Sequence, residues 1–348
     1  ISTDIALEFG LFDCLTGTIE YFKKDSKDLL FDVSQPASVG VTSIIQNIGK
    51  VTNSGVEIEL DYNAFKNKDW SVSVGANATF VKNKIKNLPA TMKENGYISG
   101  SKKWLEGKSI YEFWLRQWHG VDPQTGDGLY VADVSKYNQG NIGTGDGNIT
   151  QSQFDEYKKT VVTIDGKELT NSYTYAKYDF SGSSIPDVFG GFNVRVSYKN
   201  FDLAAVFSYQ LGGQVLDTNY ATMMSMTEFG YAQSPDLLKA WKQAGDITEV
   251  PRIDNSAAHT TNIGQSYSTR WLTSSDYLNL RSVTIGYQFP KAWLSKVMLK
   301  SARLNLTAEN LFMLKARQGL NPMANYSGVT YNEYMPSRNI TLGLNVSF

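Results

Sequence analysis

The chain has 348 residues, 33 Lys and Arg against 34 Asp and Glu, 41% hydrophobic and 19% charged residues, and a mean hydropathy of -0.30. No window approaches the roughly 18 to 20 consecutive apolar residues of a membrane-spanning helix, which excludes a helical membrane protein. A net charge of -1 argues against a nucleic-acid binder, which needs a basic excess or stripe.

The chain opens Ile1-Ser2-Thr3-Asp4, without initiator Met, charged n-region or apolar h-region, and reads as a piece of something longer. Its 29 Gly, 20 Tyr and 17 Phe are a β-rich profile, soluble at face value. The organising signal is strict alternation in segments of roughly ten residues. Strands are expected near 4–12, 15–28, 52–66, 69–84, 108–119, 128–134, 188–198, 201–212, 274–289, 301–312 and 338–348, about eleven in all. In 56–63, Val56, Ile58, Leu60 and Tyr62 share one face, and Glu57, Glu59, Asp61 and Asn63 the other. Val72, Val74, Ala76, Ala78 and Phe80 alternate in the same way with small polar residues, as do Phe192, Val194, Val196 and Tyr198. The strand at 274–289 changes phase between Leu280 and Val283, which predicts a β-bulge near Ser282. The chain ends on Ile340, Leu342, Leu344, Val346 and Phe348, all of one parity.

Alternation alone leaves open which face is buried. A soluble sandwich hides the apolar face; an outer-membrane barrel turns it to lipid and lines a lumen with the polar one. Tight turns at Lys66-Asn67-Lys68-Asp69 and Lys199-Asn200 contrast with long polar stretches at about 135–187, 213–272 and 313–337. That asymmetry is the transmembrane-barrel pattern. Eleven is odd, whereas single-chain bacterial barrels have even counts, so at least one ascending strand is expected upstream of Ile1.

The run Asn47-Ile48-Gly49-Lys50-Val51-Thr52-Asn53-Ser54-Gly55-Val56-Glu57-Ile58-Glu59-Leu60 resembles the SusC/RagA family of TonB-dependent outer-membrane transporters. Similar to that family too are Gly120-Val121-Asp122-Pro123-Gln124-Thr125-Gly126, the strand from Tyr277 to Tyr287, Ala308-Glu309-Asn310-Leu311-Phe312, and the close from Pro336-Ser337-Arg338 to Phe348. The resemblance implies a 22-stranded transmembrane barrel with an N-terminal plug, of which residues 1–348 would be the C-terminal half, plug and N-terminal strands absent. It also implies import of oligosaccharides or peptides at the bacterial outer membrane. The implied partners are a SusD-like surface lipoprotein, TonB-ExbB-ExbD through the missing N-terminal part, and outer-membrane lipid.

Terminal Phe348, closing an alternating strand, resembles the assembly signal read by the barrel insertion machinery. Among the many aromatics of the long stretches, Trp241, Trp271 and Tyr331 are the substrate-stacking candidates, as a group, because flat rings stack on sugar faces and peptide side chains. The bland reading for each is loop packing, and for Trp104, Tyr111, Phe113, Trp114 and Trp118 a membrane-interface girdle. Gly143-Thr144-Gly145-Asp146-Gly147-Asn148 is similar to a calcium loop. With Gly147 at position 6, however, Ile142 and Gln153 stand where oxygen ligands belong, so a metal-free loop is expected. Cys14 is the sole cysteine, which precludes an intrachain disulfide. His119 and His259 sit in unrelated contexts, and no metal or cofactor is expected. No nucleophile elbow or phosphate loop is present. Glu57 and Glu59, two apart on one strand face, read as a lumen row and not as a glycosidase pair, so no enzyme is expected. The competing reading is a soluble, secreted β-sandwich glycan-binding protein.

Overall fold

The computed structural model describes residues 1–34, 40, 43–145, 147–225, 230, 232–254, 256, 267–331 and 333–348. Four long strands come first: β1 (Ser2–Leu11), β2 (Leu15–Ser34), β3 (Ser43–Lys66) and β4 (Trp70–Asn87). Short ones follow: β5 (Tyr97–Ser99), β6 (Lys102–Trp104), β7 (Glu112–Arg116), β8 (Trp118–Val121), β9 (Gly128–Val131), β10 (Val161–Ile164), β11 (Lys167–Thr170) and β12 (Tyr178–Ser183). The second half holds β13 (Val188–Tyr198), β14 (Phe201–Leu211), β15 (Gln214–Leu216), β16 (Leu272–Ser274), β17 (Tyr277–Gln288), β18 (Ser301–Glu309), β19 (Met313–Lys315) and β20 (Asn339–Ser347). Helices α1 (Gln151–Thr160) and α2 (Thr218–Met223) lie in the long connections. No helix among the described residues is long and apolar enough to cross a membrane, which says nothing of crossing by strands.

Nine strands form one antiparallel wall in the order β1-β2-β3-β4-β13-β14-β17-β18-β20, with β19 prolonging the pairing of β17. They are nine of the eleven strands expected from alternation. The segments at 108–119 and 128–134 instead join small separate sheets, β12-β7-β6-β5 and β10-β11-β9-β8. The physical reason lies in what dries their apolar face. Phe113 and Leu115 on β7 alternate like a wall strand, yet they are fully buried in a packed protein cluster. The expected bulge is present: partners shift from Val206↔Ser282 to Phe207↔Leu280, leaving Arg281 as the extra residue.

Register converts the sequence parity into two continuous faces. Tyr21, Val56 and Phe80 form one rung, and Ile5 pairs with Tyr21 beside them. Farther round, Val194 opposes Val74 and Ala205, and Ile285 opposes Leu203 and Leu306, which meets Leu342. Among the described residues no second sheet covers this apolar face. Ile340, Leu342 and Leu344 are 72%, 70% and 62% exposed, so the sandwich reading fails for want of a second sheet. The other face carries Glu20 opposite Glu57, Asn77 opposite Gly191, and Arg195 opposite Ser73. At one end the connections are tight. Phe12 and Asp13 adopt φ of 55° and 53° in a hairpin closed by Cys14 N–H to Leu11 O, the mirror-image turn that suits strand twist.

Rings gather at that tight-turn end: Trp70 lies 4.3 Å from Tyr198, and Phe201 4.5 Å from Tyr287. On β4, Trp70 and Phe80 stand ten residues apart, which at a tilt of roughly 35–45° spans about 25 Å, the height of a membrane barrel's apolar band. Trp114 and Trp118, expected in a girdle, lie instead in the connecting sheets, packed against Tyr178 and Tyr130.

The wall is inside out, and the dry cores lie in the long connections at the opposite end. One holds Phe113, Leu115, Leu216, Met224 and Trp271; a second Tyr137, Ile149, Phe154 and Tyr157; a third Ile85, Leu88 and Met92.

Candidate functional site

The polar wall face is hollowed where strands carry glycine. A cavity of about 310 Å³ is lined by Glu59, Asp61, Asn77, Asn193, Ser208 and Arg281, among others. Its floor is bare backbone: a Cβ on Gly75 would stand 2.6 Å from both Asn193 Nδ2 and Asp61 Oδ1. Asn77 Oδ1 accepts from the Gly191 N–H at 2.8 Å, which fixes one amide at the rim. With Glu8 opposite Thr18, which meets Glu59, and with Glu20 opposite Glu57, the β1–β3 side of this face is acidic. Like charges directly opposite disfavour pairing, so this side suits a wet surface.

Above the wall, cations already occupy the aromatic rings. Arg270 sits 4.3 Å from the Trp271 ring and 4.7 Å from that of Trp118; burial holds its guanidinium down to about 10. Arg116 lies between Tyr173 and Tyr178, at 4.8 and 4.6 Å. Lys102 stands 3.2 Å over the Phe113 ring, donating to Tyr111 O at 2.8 Å and Ser184 Oγ at 3.2 Å. Burial pushes its ammonium down to about 7. Ser184 Oγ in turn donates to Tyr326 O at 3.0 Å, so one buried amine ties the β4–β13 connection to the β18–β20 connection.

The last long connection is anchored by Asp217, the N-cap of α2. Its Oδ1 accepts from Tyr220 N at 3.0 Å and Thr330 Oγ1 at 3.2 Å, while Oδ2 receives Arg317 Nη2. Arg317 also covers the Tyr220 ring at 3.5 Å.

The three candidate rings border the same core in different ways. Trp271 is inside it, 4% exposed, edge-on to Tyr220 at 5.8 Å. Trp241 is half-buried: Nε1 donates to Pro123 O at 2.9 Å, and the ring covers Gly126, where a Cβ would clash at 2.5 Å. Trp241 thus pins the turn at Asp122–Gly128. Tyr331 is 66% exposed, set just beyond buried Val329 and Thr330. Tyr326 and Tyr334 are exposed on the same connection. Three open rings there were visible in the sequence only as members of a long aromatic list, since exposure depends on which neighbours the anchors bury.

Phe348 follows β20, 80% exposed, on the parity of Ile340, Leu342 and Leu344. Of the calcium-like loop, Asp146 lies outside the described residues, as do Phe229, Tyr231 and His259. Ile142 bridges Ile149, which is buried, and Gln153 closes a capping box with Thr150 at the start of α1. The first ligand position therefore serves packing and the last serves helix capping. No group of three His, Cys, Asp or Glu among the described residues could hold a metal.

Residues 1–141 match the family described as TonB dependent receptor-like, beta-barrel. In that stretch the chain is similar to the TonB-dependent receptor β-barrels. Over 99% of its length it is 28% identical to TonB-dependent receptor P3 of Formosa agariphila, covering 34% of that protein. To TonB-dependent receptor SusC of Bacteroides thetaiotaomicron it is 24% identical, over 98% of this chain and 31% of that one. Among solved structures it aligns with the RagAB peptide transporter at a TM-score of 0.76 and 24% identity, covering 100% of this chain and 35% of that chain. The chain thus spans about a third of the length of the curated relatives it matches. These matches place the chain in the bacterial outer membrane, where barrel walls of this kind turn their apolar face to lipid and their short turns to the periplasm.

Proposed function

We propose that the whole receptor imports oligosaccharides or peptides across the outer membrane, and that residues 1–348 supply the C-terminal portion of its barrel wall and outer loops. The supporting observation is the pairing of a polar, glycine-hollowed wall face with loop cores that leave Tyr326, Tyr331 and Tyr334 open to solvent above it. Substrate would be held between these loops, a plug and a SusD-like lipoprotein, with TonB-ExbB-ExbD remodelling the plug. Both a SusC and a RagAB peptide transporter stand among the relatives by name, so either polymer fits. The carboxylates Glu20, Glu57 and Glu59 act in this reading as a lumen surface, and no chemistry is done on the substrate. The test is uptake of labelled oligosaccharide and peptide by cells carrying the full-length receptor, with and without a protonophore. Energy-dependent uptake lost on deleting the receptor supports the reading; uptake unchanged by both treatments overturns it.

A further inference from the structure

We propose that a hollow on the outside of the wall, where β2, β3 and β4 rise above the lipid-facing band, binds the phosphate-bearing headgroup of an outer-leaflet lipid. The register carries the argument. On the lipid-facing parity, the last apolar rung before the charged ones is Tyr21–Val56–Phe80. Two residues farther up, about 7 Å along the strands, the same face carries Lys23–Ser54–Lys82, and above that Asp25–Thr52–Lys84. The parity that turns Phe80 to lipid therefore turns Lys82 and Lys84 to the same side, one step beyond the hydrocarbon.

These strands outrun their neighbour. β13 begins at Val188, with Phe189 opposite Thr79, so the top of β4 has no wall strand beside it. The notch is a hollow of about 700 Å³. Tyr21, Val56 and Phe80 lie at its base, Lys82 and Lys84 along one side, and Lys108 on the loop that roofs it. An amphiphile fits that order, with acyl chain against the rings and phosphate among the amines.

Three acids lie nearby, of which Glu112 and Asp187 line the hollow. Asp25 accepts from Thr52 Oγ1 at 2.6 Å and pairs with Lys50 at 3.3 Å. Asp187 turns to Gly212, where a Cβ would meet its Oδ2 at 2.3 Å, and Glu112 acts on buried Lys102. Lys23, Lys82 and Lys84 are exposed, and no described residue forms an ion pair with Lys82 or Lys84. The opposite parity cannot serve: Asn83 is bonded to Asn53, Ser109 and Ile110, and Ile85 is buried.

The experiment is native mass spectrometry of the full-length receptor in a neutral detergent, with added phosphatidic acid, diacylglycerol of the same chains, or inorganic phosphate. Phosphatidic acid is retained and diacylglycerol is not. Lys82→Glu with Lys84→Glu lowers retention roughly tenfold or more, while Lys296→Glu at the tight-turn end leaves it unchanged. A Lys82→Gln, Lys84→Gln pair gives the same direction should the charge-reversed protein fail to show heat-modifiable mobility. Equal retention by the variants, equal retention of diacylglycerol, or displacement of phosphatidic acid by inorganic phosphate at matched concentration overturns the proposal.

Discussion

Asp202 and Arg303 meet at 2.6 Å across the bare backbone of Gly286, joining β14 to β18 over the strand between them. A Cβ on Gly286 would stand 2.5 Å from Asp202 Oδ1 and 2.6 Å from Arg303 Nη2. The pair is half-exposed on the polar face, so its own worth is at most about 1 kcal/mol. Asp202→Asn should therefore barely move the temperature at which the full-length receptor loses its heat-modifiable gel mobility. Gly286→Val should lower it distinctly, because a side chain there displaces both partners.

Asp217 is 4% exposed and serves as helix cap, acceptor for Thr330 and partner of Arg317. Asp217→Ala leaves the guanidinium and the cap unsatisfied, a loss of roughly 3–5 kcal/mol for a buried pair. Limited proteolysis should then cut the connection at 316–337 while the wall stays intact. Unchanged resistance would contradict the anchoring role.

Lys102 gives the loops a pH dependence whose sign is fixed by its lowered value. Unfolded, the amine keeps its ordinary 10.5; folded, burial holds it at about 7. Between these the unfolded state binds more protons, so local stability rises with pH from about 7 upward and is lost below it. Protease resistance of the segment 97–116 should follow that course, and Lys102→Met should flatten the difference.

Trp271 and Tyr331 separate packing from recognition. Trp271→Ala empties a core site and should cost about 3–5 kcal/mol of loop stability. Tyr331→Ala should leave stability within about 0.5 kcal/mol and instead weaken substrate binding to the full-length receptor, read by calorimetry. If Tyr331→Ala together with Tyr326→Ala and Tyr334→Ala leaves affinity unchanged, the open rings are not substrate contacts.

The wall was legible because lipid and lumen impose a strict period of two. Val72 to Phe80 or Phe192 to Tyr198 can be read off directly, and the bulge at Arg281 shows as a break in phase. The same period misleads at Glu112–Arg116, where alternation comes from burial against Leu216 and Trp271, residues more than a hundred positions away. The upper ends of β2 and β3 lie beyond the expected 15–28 and 52–66 for a related reason: the charged run Lys23–Asp28 and the register shifts between Ser26 and Leu30 break the period of two before the pairing resumes. Among the site candidates, nothing local to Trp271 in the sequence shows that Arg270 and Tyr220 pack against its ring.

The central claim is that parity along each wall strand decides between lipid and water. The most direct measurement places single spin labels at successive positions 72 to 79 of β4 in the full-length receptor, reconstituted in a bilayer. Collision with oxygen should peak at Val72, Val74, Ala76 and Ala78, and collision with a water-soluble nickel chelate at Ser73, Gly75, Asn77 and Thr79. Uniform accessibility, or the reverse alternation, would contradict the account.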